Sequence, residues 1–143
     1  MKQAIRKSTI LRYAVVALLS VAFASCSSQK PDNVAEDFLN AYFAAEYEKA
    51  AEYCTPELGN DLMSALVQTQ ALDEAIRANI QKYTKFYKPQ VVKTQQPSKK
   101  DSVIVNYIVI NTAADSLSAS RQVKESRVHI VKTQEGWKVS SLK

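Results

Sequence analysis

The chain has 143 residues, 46% of them hydrophobic, with 19 basic and 14 acidic residues and a formal net charge of +5. Four of the basic residues and none of the acidic ones fall in the first 25 positions, so the remainder is close to neutral. That balance removes the electrostatic argument for a nucleic-acid partner, and two glycines in all leave no glycine-rich loop to cradle a phosphate.

The first segment is "MKQAIRKSTILRY", which carries Lys2, Arg6, Lys7 and Arg12, and an apolar run from Ala14 to Phe23 follows it. A basic start, a short apolar stretch and the small residues Ala24 and Ser25 make the three parts of a secretory signal peptide. The run falls short of the roughly 20 residues needed to span a bilayer. A buried first helix fits less well, because cations at a helix N-terminus oppose its dipole. Residues 1–25 are therefore read as a leader. The exit "FASC" resembles the bacterial lipobox, in its looser Bacteroidota-like form, with Phe23 where an aliphatic residue is more usual. The resemblance implies that Cys26 carries a diacylglyceryl thioether and becomes the first residue. It further implies a membrane partner and a location in the bacterial cell envelope, with the outer membrane expected. A thiolate is a nucleophile suited to that chemistry, and several acyl chains hold a protein where one gives marginal binding. A plain signal peptide with an incidental cysteine is the alternative.

Residues 26–32 are short and polar and read as a tether, leaving 33–143 as one domain. With Cys26 lipidated, Cys54 has no partner in the chain and is expected to be a buried free thiol. The next stretch, "NVAEDFLNAYFAAEYEKAAEYC", is predicted helical, opening on Asn33 and Glu36 at capping-box spacing. Val34, Phe38, Leu39, Tyr42 and Phe43 form its apolar face, and a break is expected near Glu46. "TPEL" is a restart, with Thr55 placed to cap and Pro56 at the first helical position. From Leu58 to Tyr83 the helical period runs on almost to Pro89, with a kink expected in "QTQAL".

Beyond Pro89 the pattern becomes that of strands. "QVVKTQQ" is followed by "SVIVNYIVI", in which Val103, Val105, Tyr107 and Val109 alternate with Ile104, Ile108 and Ile110. After the polar "NTAADSLSAS", "RQVKESRVHIVKT" and "WKVSSLK" complete four strands in an expected antiparallel meander. Segregated helices and strands predict an α+β fold, N-terminal helices packed on a curved four-stranded antiparallel sheet.

The order of these elements, the opening "VAEDFLNAYFAAEYEKAAEYCTPEL" and the closing "SRVHIVKTQEGWKVSSL" resemble the cone-shaped domains related to nuclear transport factor two. They look closest to the small lipoproteins of that superfamily. The resemblance implies a curved sheet wrapped round helices with an open cleft, and sheets that pair back to back in a homodimer. Superfamily enzymes place Asp, His or Tyr inside the cone. Here Asp37, Asp61, Asp73, Asp101 and Asp115 fall on helix faces or turns, and none matches the isomerases' general base. His129 is the one histidine; it shares a strand face with Glu125, Arg127 and Val131 and is a weak polar-site candidate. No metal-ligand spacing and no cofactor motif is visible. Phe38, Tyr42, Phe43, Tyr107 and Trp137 are candidate pocket lining, or simply core. "YTKFYK" (83–88) reads as an amphipathic helix end or as a contact for anionic head groups. The expected role is a non-catalytic binding or accessory module for a small apolar ligand or an envelope protein, the alternatives being a small-substrate isomerase or dehydratase and a structural envelope dimer.

Overall fold

The computed structural model describes residues 29–113 and 125–143. The expected leader, residues 26–28 of the expected tether with Cys26 among them, and Asp115 lie outside the described residues, while Pro31 and Asp32, the end of that tether, are helical. Among those described, four helices, α1 (Pro31–Phe43), α2 (Tyr47–Glu52), α3 (Pro56–Gln70) and α4 (Glu74–Thr84), precede four strands, β1 (Tyr87–Gln95), β2 (Ser102–Asn111), β3 (Glu125–Thr133) and β4 (Gly136–Leu142). The strands form one antiparallel sheet in the order β1-β2-β3-β4. This is the expected α+β architecture, with a curved open sheet. Register shifts at Val91/Lys93 and His129/Ile130 bend the sheet locally, as bulges do.

Helix α1 starts two residues ahead of the expected Asn33. Pro31 takes the first helical position, where its fixed φ is already helical and its missing N–H costs nothing, and Lys30 is extended. Asn33 and Glu36 consequently lie inside the helix, and no side-chain cap forms at its start. Its apolar face fills the hollow of the sheet. Val34, Ala35, Phe38, Leu39 and Ala41 are buried against Val103, Val105 and Tyr107 of β2, Val128 and Ile130 of β3, and Val139 of β4.

The expected break near Glu46 is present and has a specific cause. The Ala45 N–H donates to Tyr42 O and the Glu46 N–H to Ala41 O, which closes α1 in a Schellman motif. The motif needs a left-handed residue, and here that residue is Ala45 with φ 60. Helix α2 then ends against β4, where the Lys138 Nζ donates to Glu52 O at 2.7 Å. The Thr55 N–H donates to Val139 O and the Val139 N–H to Tyr53 O, so this short segment covers part of β4's outer edge. Thr55 and Pro56 open α3 as expected, though the threonine hydroxyl makes no cap hydrogen bond.

The single long helix predicted from Leu58 to Tyr83 is two helices. Helix α3 ends at Gln70, inside the stretch where the kink was expected, and Asp73 restarts the chain by accepting from the Ala75 N–H at 2.8 Å. An Asx cap competes with helix continuation here, a local interaction that apolar periodicity does not register. The end near Pro89 is also corrected. Helix α4 stops at Thr84, and Tyr87 and Lys88 already pair with Asn111 and Ile110 in the sheet. Proline disfavours helical backbone at the residue before it, and an edge strand has room for a residue with no N–H to donate.

Candidate functional site

The sequence-predicted aromatics come together, but as packing. Phe38 is fully buried and stacks on Tyr42, with ring centroids 5.7 Å apart; Tyr42 meets Phe43 and Tyr47 edge-on, and Phe43 meets Tyr107 at 6.1 Å. Such pairs each add about 0.5–1.5 kcal/mol beyond the area they bury. Burial pushes the Tyr107 phenol up from its ordinary pKa, against the opposing effect of its hydrogen bond with Ser126. Trp137 sits apart on β4, half-buried, with Lys132 Nζ 6.0 Å from its ring centre. None of Phe38, Tyr42, Phe43, Tyr107 and Trp137 lines either of the two clefts described next.

The larger cleft, of about 690 Å³, opens between the end of α1, helices α3 and α4, and the start of β1. Leu66 and Thr69 line it from α3, Arg77, Ile80 and Thr84 from α4, and Tyr87, Lys88 and Pro89 from β1, while Asn40, Ala45 and Glu46 close its third side. The left-handed Ala45 thus borders the cleft, and the turn it makes sets where that wall ends. The lining mixes apolar groups with amides and hydroxyls and with the charged Glu46, Arg77, Lys85 and Lys88, so a ligand would meet apolar surface and a few polar groups together. Glu46 is drawn off to Lys49 at 3.3 Å. Arg77, Lys85 and Lys88 have no carboxylate within 4.0 Å among the described residues.

A second cleft, of about 620 Å³, lies where α2 and α3 meet the β3–β4 hairpin, lined by Cys54, Gly59, Met63, Thr133 and Lys138 among others. Cys54 is the buried free thiol expected from the sequence. Its Sγ donates to Ala50 O at 3.3 Å, and burial pushes the thiol up to about 12, with Lys138 pulling only weakly the other way. A thiol held that high is not a nucleophile at neutral pH.

His129 lies on the sheet face turned away from α1, half-buried, beside Ile104 of β2 and Ser141 of β4 in the register. Burial, then the charges of Lys143 and Arg127, lower its pKa below the ordinary value. Glu125, the carboxylate that shares its face, accepts instead from Asn106 Nδ2 at 2.7 Å. Its electrostatic neighbours are thus cations, where a catalytic histidine wants a carboxylate. Among the described residues no group of three His, Cys, Asp or Glu is placed to hold a metal ion, and no helix is long and apolar enough to cross a membrane.

The sequence reading missed the cleft because its wall is assembled from four elements. A signal was nevertheless present: residues 75–100 carry seven lysines and arginines and no acid, whereas residues 31–74 carry ten carboxylates and one lysine, Lys49. The larger cleft lies where these two stretches meet.

No protein-family model matches the chain, and no curated protein is similar to it in sequence. Among solved structures, one described as an NTF2-like transpeptidase of Campylobacter jejuni superposes with a TM-score of 0.51 at 13% identity, covering 79% of this chain and 99% of that one. The likeness shows a shared nuclear-transport-factor-two-like fold. A SEC-C motif-containing protein of Rhodopseudomonas palustris superposes with a TM-score of 0.41 at 14% identity over 72% of this chain and 69% of its own, too distant to carry an argument.

Proposed function

We propose that the protein is a non-catalytic binding module whose ligand, a small molecule with an apolar body, occupies the cleft between α1, α3, α4 and β1. The observation that supports this most is the lining itself. Leu66, Ile80, Tyr87 and Pro89 offer apolar surface in an opening of about 690 Å³, large enough for a drug-sized molecule. Transpeptidation, the activity in the structural neighbour's description, is not carried to this chain. At 13% identity the likeness to that neighbour concerns the fold alone.

The same proposal places the module at a membrane. "FASC" and the leader before it support a lipid on Cys26, in the bacterial envelope and on the outer membrane. An envelope protein is the other partner class consistent with a tethered accessory domain. Intact-mass measurement of the protein purified from a bacterial membrane fraction tests the anchor: a mature chain starting at a lipidated Cys26 is expected, and an unmodified Cys26 rejects it. The cleft is tested with the dye anilinonaphthalene sulfonate. Dye fluorescence should rise on binding and fall when Leu66→Trp fills the opening. Equal dye binding by both chains rejects the cleft as the site.

A further inference from the structure

Helix α4 is an amphipathic helix that the fold leaves uncovered. It buries no residue and packs closely on no other element. With 100° of turn per residue, Ile76, Ile80 and Tyr83 share a sector of about 60°. Ile80 leans into the cleft, but Ile76 is 49% and Tyr83 59% exposed, and Leu72, just ahead of the helix, is 40% exposed. An isolated helix of 11 residues is marginal in water, so a covering surface would add stability that the fold itself does not supply.

The charges around this stripe indicate what covers it. Arg77 and Lys82 flank the stripe on its two sides, and Lys85 and Lys88 follow on the chain's way into β1. No carboxylate lies among residues 75–100, and the four cations have no carboxylate within 4.0 Å among the described residues. A narrow apolar stripe with tyrosine near its end, bordered by cations, is the pattern of a helix that lies in a membrane interface. The tyrosine ring suits the head-group level. A protein groove would satisfy the stripe equally well, but it gives no reason for cations on both flanks and beyond the C-terminal end, the carboxylates being confined to Asp73 and Glu74 at the helix start.

We propose that α4 docks on an anionic lipid bilayer, with Ile76 and Tyr83 entering the head-group boundary and Arg77, Lys82, Lys85 and Lys88 meeting lipid phosphates. Neither the cleft ligand nor the lipid on Cys26 is needed for this contact. It would, however, turn the mouth of the cleft, which shares Arg77, Lys85 and Lys88, toward the bilayer. Each cation near an anionic surface contributes about fivefold in partitioning, and salt weakens the contribution.

The test reads position 83 directly, so anchoring through the N-terminus does not confuse it. The full chain carrying Tyr83→Trp is mixed with vesicles of phosphatidylcholine alone or with 30%, on the order of physiological anionic content, of phosphatidylglycerol. Emission is taken relative to the parent chain, which subtracts Trp137. The expected result is a blue shift, with quenching by brominated acyl chains, in the anionic vesicles only. Lys82→Glu with Lys85→Glu should weaken that response by about tenfold or more; because acids at a helix C-terminus oppose its dipole, Lys82→Gln with Lys85→Gln, which should weaken it less but in the same direction, separates lost charge from lost helix. Ile76→Ser should weaken it without altering its dependence on lipid charge. The same emission in both vesicle types overturns the proposal. So does a tryptophan that is already shielded without vesicles and becomes exposed on dilution, which would assign α4 to a second copy of the chain.

Discussion

Helices α1 and α4 are alike on paper and opposite in the fold. Both are amphipathic, of 13 and 11 residues, and both open with an acidic first turn. Helix α1 buries five residues in the hollow of the sheet, and α4 buries none. The difference lies in what faces each stripe. The stripe of α1 carries Phe38 and Leu39 and meets the β-branched face of β2, β3 and β4. That of α4 hangs over a cleft. Amphipathy says that a helix has an apolar side; it does not say that the molecule has a place to put it.

The contrast can be broken most sharply at Phe38. Phe38→Ala should cost about 3–5 kcal/mol, the range for emptying an aromatic site in a well-packed core. Chemical denaturation measures it, and a cost under about 1 kcal/mol would mean that α1 does not anchor the fold. The next effect is of opposite sign. Ala45 holds a left-handed conformation that favours glycine, so Ala45→Gly should stabilise the protein by roughly 0.5–1 kcal/mol, the steric relief being partly offset by the flexibility glycine adds to the unfolded chain. A loss of stability would show that the Ala45 methyl packs on the cleft wall to greater effect than the backbone strain it carries.

On α4 the same assay should be nearly silent. Ile76→Ser is expected to change stability by less than about 0.5 kcal/mol, as surface substitutions do, and amide exchange in α4 should be far faster than in α1. Slow exchange across α4 in the free protein would remove the contrast altogether. The smallest effect is at His129. Its lowered pKa means that the unfolded chain takes up this proton first as pH falls. The group therefore costs nothing above the unfolded value of about 6.5 and destabilises progressively below it. NMR titration should find the imidazole below that value, and His129→Gln should flatten this part of the pH profile. A raised pKa would instead point to a carboxylate partner.

The helix-then-strand order could be read because each element announces itself locally. Val34, Phe38 and Leu39 keep a helical period, Val103 to Ile110 alternate, and Pro56 marks a start. The restart at Asp73 and the entry to β1 at Tyr87 escaped the same reading. One depends on an Asx cap, the other on pairing with Asn111 and Ile110, residues more than twenty positions away. The aromatic residues were identified but given two roles, lining or core. Only packing chooses between them, since a phenylalanine on an apolar face reads the same whether a helix or a ligand covers it.

What the sequence determined by itself is the helix-then-strand order with its four strands, the buried thiol of Cys54 and the segregation of charge between residues 31–74 and 75–100, because each follows from local periodicity or from composition. The tertiary structure alone decided which apolar surfaces cancel. Helix α1 closed the hollow of the sheet and used up the aromatics, and the turn at Ala45 ended the wall beside them. Helix α4, restarted at Asp73, buries no residue, and its Arg77 lines the open space together with Lys85 and Lys88. A cleft is the volume left when four elements stop short of one another, and no single stretch of chain encodes it.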